Sequence, residues 1–155
     1  MRSCKSMIKS LCLSVMAISM SAGVVHADQL DKVLQEGVVR CGVVLDFPPM
    51  GYRDANNEPE GFDVQICKDL ASDMKIKHEI VGLTWAERIP ALVSGKVDVA
   101  IASSSDTLQR AQTVGFTIPY NVFQFVAVLA PGVTINSWED LKDLKVGAAI
   151  GTTYE

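Results

Sequence analysis

The sequence predicts an α/β fold built on a mostly parallel sheet, and three observations carry that expectation. Apolar β-type runs at 38–45, 77–83 and 97–102 alternate with helically spaced apolar residues at 62–74 and 85–93. The third run, with Val97, Val99 and Ile101 separated by small or short residues, has the composition of a strand buried on both faces. The β-α-β-α-β order then places helices on both faces of one sheet.

Each element has a local reason. Residues 30–34 form a short amphipathic lead-in ended by Gly37, and 38–45 is a strand whose only charge is Arg40. Asp46-Phe47-Pro48-Pro49-Met50-Gly51 cannot continue that strand, because two prolines remove donors and fix φ. A polar turn fills 54–61. From Phe62, apolar residues at Val64, Ile66, Cys67, Leu70, Ala71 and Met74 follow a helical face. Residues 77–83 are the second strand, with His78 and Glu79 among apolar neighbours. Trp85, Ile89, Ala91, Leu92 and Val93 mark the second helix, and Gly95 is its stop. The third strand ends at Ser103, Ser104 and Ser105, and Asp106, three residues before Gln109, is the expected helix start.

Beyond residue 116 the pattern changes. Phe116-Thr117-Ile118-Pro119-Tyr120 breaks it, 121–129 is a long apolar β run, and Pro131-Gly132 turns. Ser137, with Asp140 three residues on, caps a short helix running to Leu144. Residues 146–150 are another strand, and Gly151-Thr152-Thr153 opens a second strand-to-helix turn.

The N-terminal segment 1–27 has the make-up of a secretory signal. Arg2, Lys5 and Lys9 form a basic region, 11–25 an apolar one softened by serines, and Val25-His26-Ala27 a small-residue cleavage site. A membrane anchor is the alternative, but the run is short and serine-interrupted for a span. Removing the segment takes 3 of the 14 basic residues and none of the 18 acids, so 11 against 18 leaves a net charge of −7. An acidic chain without basic clusters lacks the electrostatic footprint of a nucleic-acid binder, and no basic amphipathic stretch suggests a membrane surface. Cys41 and Cys67 remain in an oxidising compartment, where a disulfide is one reading and two small buried thiols the one taken. His78 is the only histidine left, so no metal-ligand spacing exists, and neither a P-loop nor a GxGxxG is present.

In open parallel sheets ligands bind beyond the carboxyl ends of the strands. The Phe47 loop, Trp85 and the serine turn all follow strand ends, so they share one rim. At the serine turn, free N–H groups, hydroxyls and Arg110 make an anion cradle, with Arg110 able to grip a carboxylate through two parallel bonds. The plainer alternative is a solvated serine loop with a surface arginine, and for Phe47 and Trp85 it is ordinary core packing.

A set of short segments, in order from about residue 37 to the end, resembles one known family. These are Gly61-Phe62-Asp63-Val64, Ile89-Pro90-Ala91-Leu92, Ser94-Gly95-Lys96-Val97-Asp98, Thr107-Leu108-Gln109-Arg110, residues 116–120, and Asp140-Leu141-Lys142 before Gly151-Thr152-Thr153. They resemble the N-terminal half of periplasmic solute-binding proteins serving ABC importers of polar amino acids. The resemblance implies a two-lobed periplasmic-binding-protein fold, truncated after the start of the second lobe. A first α/β lobe at 28–120 would lead through a hinge at 121–125 into the beginning of a second lobe at 126–155. It implies a monomeric, non-enzymatic periplasmic protein without cofactor or metal, whose partners are a small amino acid and an inner-membrane ABC permease. By the same resemblance Arg110 grips the ligand α-carboxylate with Ser103 and Ser105. Thr152 and Thr153 contribute from lobe two, and Phe47 and Trp85 sandwich the ligand side chain. Val44 stands where binders of basic amino acids tend to carry an acid, which argues against lysine or arginine, and Met50 replaces a usual phenylalanine. Family members run on for roughly another hundred residues, including the carboxylate that binds the ligand ammonium. The 28–155 stretch alone is therefore expected to bind amino acids poorly.

The same fold also resembles secreted cyclohexadienyl dehydratases, which need a general acid in the pocket. Asp46 and Glu87 are the candidates near the rim. A sensor module is a third alternative.

Overall fold

The computed structural model describes residues 29–154, so the segment 1–27, expected to be a secretory signal, lies outside the described residues. Among those described, no helix is long and apolar enough to cross a membrane.

Helix α1 (Gln29–Glu36) buries Val33, and Gly37, at a left-handed φ of 67°, closes it by donating to the Val33 carbonyl. Strand β1 (Val38–Val44) follows. The Pro48-Pro49 turn returns through a short β2 (Tyr52–Arg53) and β3 (Pro59–Glu60) antiparallel ribbon. Helix α2 (Phe62–Asp73) leads into β4 (Lys77–Leu83), then α3 (Arg88–Val93) into β5 (Val99–Ala100). The sheet order is β4-β1-β5, with both pairings parallel. Donation from Asp98 to Arg40 and from Ile101 to Gly42 extends the β5 ladder beyond its two paired residues.

The sheet packs a core on each face, and strand alternation gives one of them the odd-numbered residues of β1. Val39, Cys41 and Val43 join Val64, Cys67 and Ala71 of α2. On the other face Leu83, Ala91 and Val97 form a smaller cluster beneath α3. A Cβ on Gly42 would run into the side chains of Leu83 and Val97 of that cluster. Helices thus cover both faces, as the element order requires.

Cys41 and Cys67 are joined as a disulfide with Cα atoms 6.2 Å apart, so the expectation of two free thiols is corrected. The physical reason is facing: Cys41 is on the α2 side of the central strand and Cys67 on the inward face of α2, both fully buried. The disulfide ties the central strand to the helix covering it.

At the amino end of β1, Arg40 and Asp98 form a bidentate pair. Nε and Nη2 of Arg40 donate to the two Asp98 oxygens at 3.0 and 2.6 Å, and the Arg40 backbone N–H adds a third bond at 2.8 Å. Gln29 donates to the same carboxylate, fastening α1. The Arg40 hydrogen bonds hold the Asp98 carboxyl below the usual carboxylate range.

Helix α4 (Leu108–Ala111) corrects the expected cap. Thr107, not Asp106, sits at the N-cap and accepts from the Arg110 N–H. A 3-10 helix (Trp138–Asp143) carries the expected Ser137–Asp140 capping box. The two further strands expected at 121–129 and 146–150 are not formed. A strand is a paired state, and in the described residues neither run forms a ladder with a neighbour. Val122, Val126, Val128 and Ile150 are left exposed.

Candidate functional site

Six of the seven expected residues line one cavity. Phe47, Trp85, Ser103, Ser105, Thr152 and Thr153 enclose about 220 Å³ together with Arg88, Phe123, Ala149 and Tyr154. Phe47 follows the carboxyl end of β1, Trp85 that of β4 and Ser103 that of β5, so the cavity sits where an open parallel sheet presents its ligand site. The seventh, Arg110, is not part of that lining. It reaches the rim, with Nη1 donating to the Ser105 carbonyl at 3.1 Å and Nη2 to the Gly151 carbonyl at 2.9 Å.

The aromatic wall is a cluster rather than a parallel pair. Phe47 meets Trp85 edge-on at 5.2 Å between ring centres and Phe123 at 5.8 Å. Trp85 precedes α3 instead of lying within it. Val44 is buried and Met50 accepts from the Asn121 amide, and neither faces this cavity.

The serine turn is held from beneath by Asp63, in the first turn of α2. Asp63 is buried, and its two oxygens accept from the Ser103 hydroxyl at 3.0 Å and the Tyr120 hydroxyl at 3.1 Å. The Ser103 N–H in turn donates to the Tyr120 oxygen at 3.3 Å. This network fixes Ser103 at a left-handed φ of 49°, a conformation that side chains other than Gly, Asn and Asp seldom adopt unless held. Burial pushes the Asp63 carboxyl up against the pull of its two donors, and pushes the Tyr120 phenol up as well. The Ser104 hydroxyl is buried without a hydrogen-bond partner among the described residues. Because α4 has only four residues, its terminus adds little to the cradle, which is made of guanidinium and hydroxyl groups.

Opposite stands the 149–153 turn. Ser105 and Thr153 bring their hydroxyls within 3.4 Å of one another. Thr152 spends its hydroxyl on the Ala149 carbonyl at 2.6 Å, and no helix follows the turn in the described residues. Gly151, at a φ of 80°, comes so near the Trp85–Ala86 backbone that a Cβ would lie 2.7 Å from the Ala86 Cα.

Arg88 is the residue that sequence reasoning missed. It is buried, and its guanidinium lies 4.9 Å from the Trp85 ring centre. Nε donates to the Trp85 carbonyl at 2.9 Å, Nη1 to the Ala102 and Ser103 carbonyls at 3.0 and 3.1 Å, and Nη2 to the Gly151 carbonyl at 2.9 Å. Burial, and then the charge of Arg110, lower its pKa to about 10. One signal could have found it: a cation three residues after Trp85, opening the apolar run 89–93 behind a strand end.

Of the acids considered near the rim, Glu87 accepts from the Thr84 N–H and hydroxyl, which hold its carboxyl below the usual range. Asp46 is exposed. Neither lines the cavity. Among the described residues no group of His, Cys, Asp and Glu could hold a metal ion.

Fold and site together define an α/β lobe with an aromatic-walled cavity at its strand ends and two arginines at its edge. The family model of bacterial extracellular solute-binding proteins, family 3, matches residues 39–140. The chain belongs to that family, and its architecture is the α/β fold of two-lobed periplasmic binding proteins. The L-cystine-binding protein TcyJ of Escherichia coli is 29% identical over 150 residues, 92% of this chain and 56% of that protein. The cyclohexadienyl dehydratase of Pseudomonas aeruginosa is 29% identical over 121 residues, 77% of this chain and 44% of the enzyme. A crystal structure of a point mutant of the arginine-bound form of domain 1 from TmArgBP (T. maritima) is 35% identical with a TM-score of 0.57. That likeness covers 59% of this chain and 71% of the other. The chain spans about half the length of the curated relatives it matches.

Proposed function

We propose that this protein captures a small amino acid by its α-carboxylate for delivery to an ABC importer in the periplasm. The observation that carries the reading is the convergence of six of the residues that the family resemblance implies on one cavity of about 220 Å³, with Arg110 at its rim. In this reading Arg110 and the Ser103–Ser105 turn hold the carboxylate, Thr152 and Thr153 close over it, and the Phe47–Trp85–Phe123 cluster meets the side chain. Residues 28–120 act as the first lobe, 121–125 as a hinge, and 126–155 open the second lobe. The mature protein works as a monomer with no cofactor, and hands its ligand to an inner-membrane permease.

The relatives support amino acids as the ligand class. The TmArgBP domain 1, arginine-bound as an isolated domain, argues that one lobe can retain ligand, against the expectation that this stretch binds poorly. The test is a thermal-shift and calorimetric panel of the common L-amino acids on this chain. Binding to the folded state alone raises the midpoint by mass action. A flat response to every amino acid overturns the reading.

The Pseudomonas enzyme favours a second reading, dehydration of prephenate or arogenate. Such an elimination needs a protonated acid at the leaving group. The described lining of the cavity supplies serine, threonine, tyrosine and arginine, which favours capture over that chemistry. Incubation with prephenate, followed by ultraviolet absorbance of the aromatic product, separates the two.

A further inference from the structure

We infer that the cavity selects an amino acid bearing a second negative charge, with Arg88 as the residue that reads it; the inference rests on the capture function proposed above. Its starting point is a charge imbalance. Arg88 and Arg110 each direct an Nη2 at the same acceptor, the Gly151 carbonyl, each at 2.9 Å. The two nitrogens therefore lie within two hydrogen-bond lengths of each other. No ion pair among the described residues involves either arginine, and no residue lining the cavity is acidic. Two cations thus share one neutral oxygen at the rim of a partly desolvated space.

Buried charge is costly unless it is paired. Arg88 partly meets this cost with backbone dipoles: three of its N–H groups go to the Trp85, Ala102 and Ser103 carbonyls. Those bonds fix the guanidinium, and they leave Nη2 as the arm directed at the opposite turn. A zwitterionic ligand gripped by Arg110 brings one carboxylate and one ammonium, which leaves the charge of Arg88 without a counterion. A ligand whose side chain ends in a carboxylate supplies it, in the low-dielectric setting where such pairing is strongest. A cationic side chain would add a third positive charge to the same space. The Trp85 face against Arg88 adds rigidity to the grip without adding negative charge.

The experiment is a calorimetric comparison on this chain of isosteric pairs, L-glutamate against L-glutamine and L-aspartate against L-asparagine. L-arginine and the amine-free diacid glutarate complete the set. At least one acid should bind ten-fold or more tightly than its amide, and L-arginine should bind weakest. Arg88→Met should erase that ratio, and Arg88→Lys should keep part of it; should the methionine variant not fold, the ratios on the unaltered chain decide alone. Amides binding as tightly as acids, or arginine binding best, overturns this inference and leaves amino-acid capture standing. Binding of glutarate but of no amino acid overturns capture and keeps the second-charge selectivity. Silence from every ligand overturns both.

Discussion

The hydroxyl of Ser103 donates to the carboxylate of Asp63 across 40 residues of sequence, at 3.0 Å. That bond joins the turn at the end of β5 to the first turn of α2, and Tyr120 occupies the other carboxylate oxygen. A carboxylate placed beneath the serine turn, outside the cavity, acts as a support whose loss should be felt in two ways.

Asp63→Ala should destabilise the fold by about 1 kcal/mol, the scale of losing hydrogen bonds to part-buried hydroxyl donors, and it should weaken ligand binding by loosening Ser103. The native carboxyl is raised by burial, so the folded state holds its proton more tightly than the unfolded chain. Stability from this group is therefore greatest at low pH. It falls as pH rises from the ordinary carboxylate range through the folded value. Asp63→Asn should flatten that slope in chemical denaturation followed upward from the ordinary carboxylate range; an unchanged slope counts against the assignment.

Asp98 has the opposite sign. Its carboxyl is lowered by the Arg40 hydrogen bonds, so its contribution is present above the ordinary carboxylate range and is lost as pH falls through the folded value. The Asp98 side chain is only 2% exposed. Asp98→Asn should cost about 1–3 kcal/mol, the range for weakening charge-assisted hydrogen bonds in a pair whose Arg40 side is part-exposed. Urea unfolding at pH 7 measures that cost, and the gap between variant and parent should narrow in acid.

Arg110→Ala should cost about 2–5 kcal/mol of ligand affinity by calorimetry, the range for breaking a desolvated charge pair. Arg110→Lys should recover only part, because an ammonium lacks the planar fork. Near-normal affinity in the alanine variant would reassign Arg110 to the surface.

Expression with the intact N-terminus should give a periplasmic product that begins at Asp28. Mass spectrometry of that product reads the terminus directly, and a chain still starting at Met1 contradicts a cleaved signal.

What was legible in the sequence is what short-range pattern controls. The β4 boundaries match the expected run, α2 starts at Phe62, Gly95 follows α3 at a φ of 70°, and Ser137 caps its helix as spaced. The placing of the candidate residues around one cavity was legible because strand ends of a parallel sheet share one rim by topology. Arg88 was not, since an arginine in an apolar helix has the same spacing whether its head reaches water or folds inward. Asp63 was visible as a family-like residue, but its partners lie 40 and 57 residues away. The Cys41–Cys67 disulfide depended on two side chains facing each other across a strand and a helix. The runs at 121–129 and 146–150 have strand composition, yet pairing is decided by a neighbour, which composition does not encode.

The carbonyl of Gly151 gives the cavity a resident competitor. Any incoming oxygen that meets Arg88 and Arg110 must take over bonds already made to that carbonyl. Net affinity is then a difference between two acceptors for the same donors, not the full strength of the new contact. A neutral amide oxygen gains almost nothing by such an exchange, whereas a carboxylate gains its charge. In the capture proposed above, the resident carbonyl would set a threshold, so that discrimination among solutes would arise from what each must outbid.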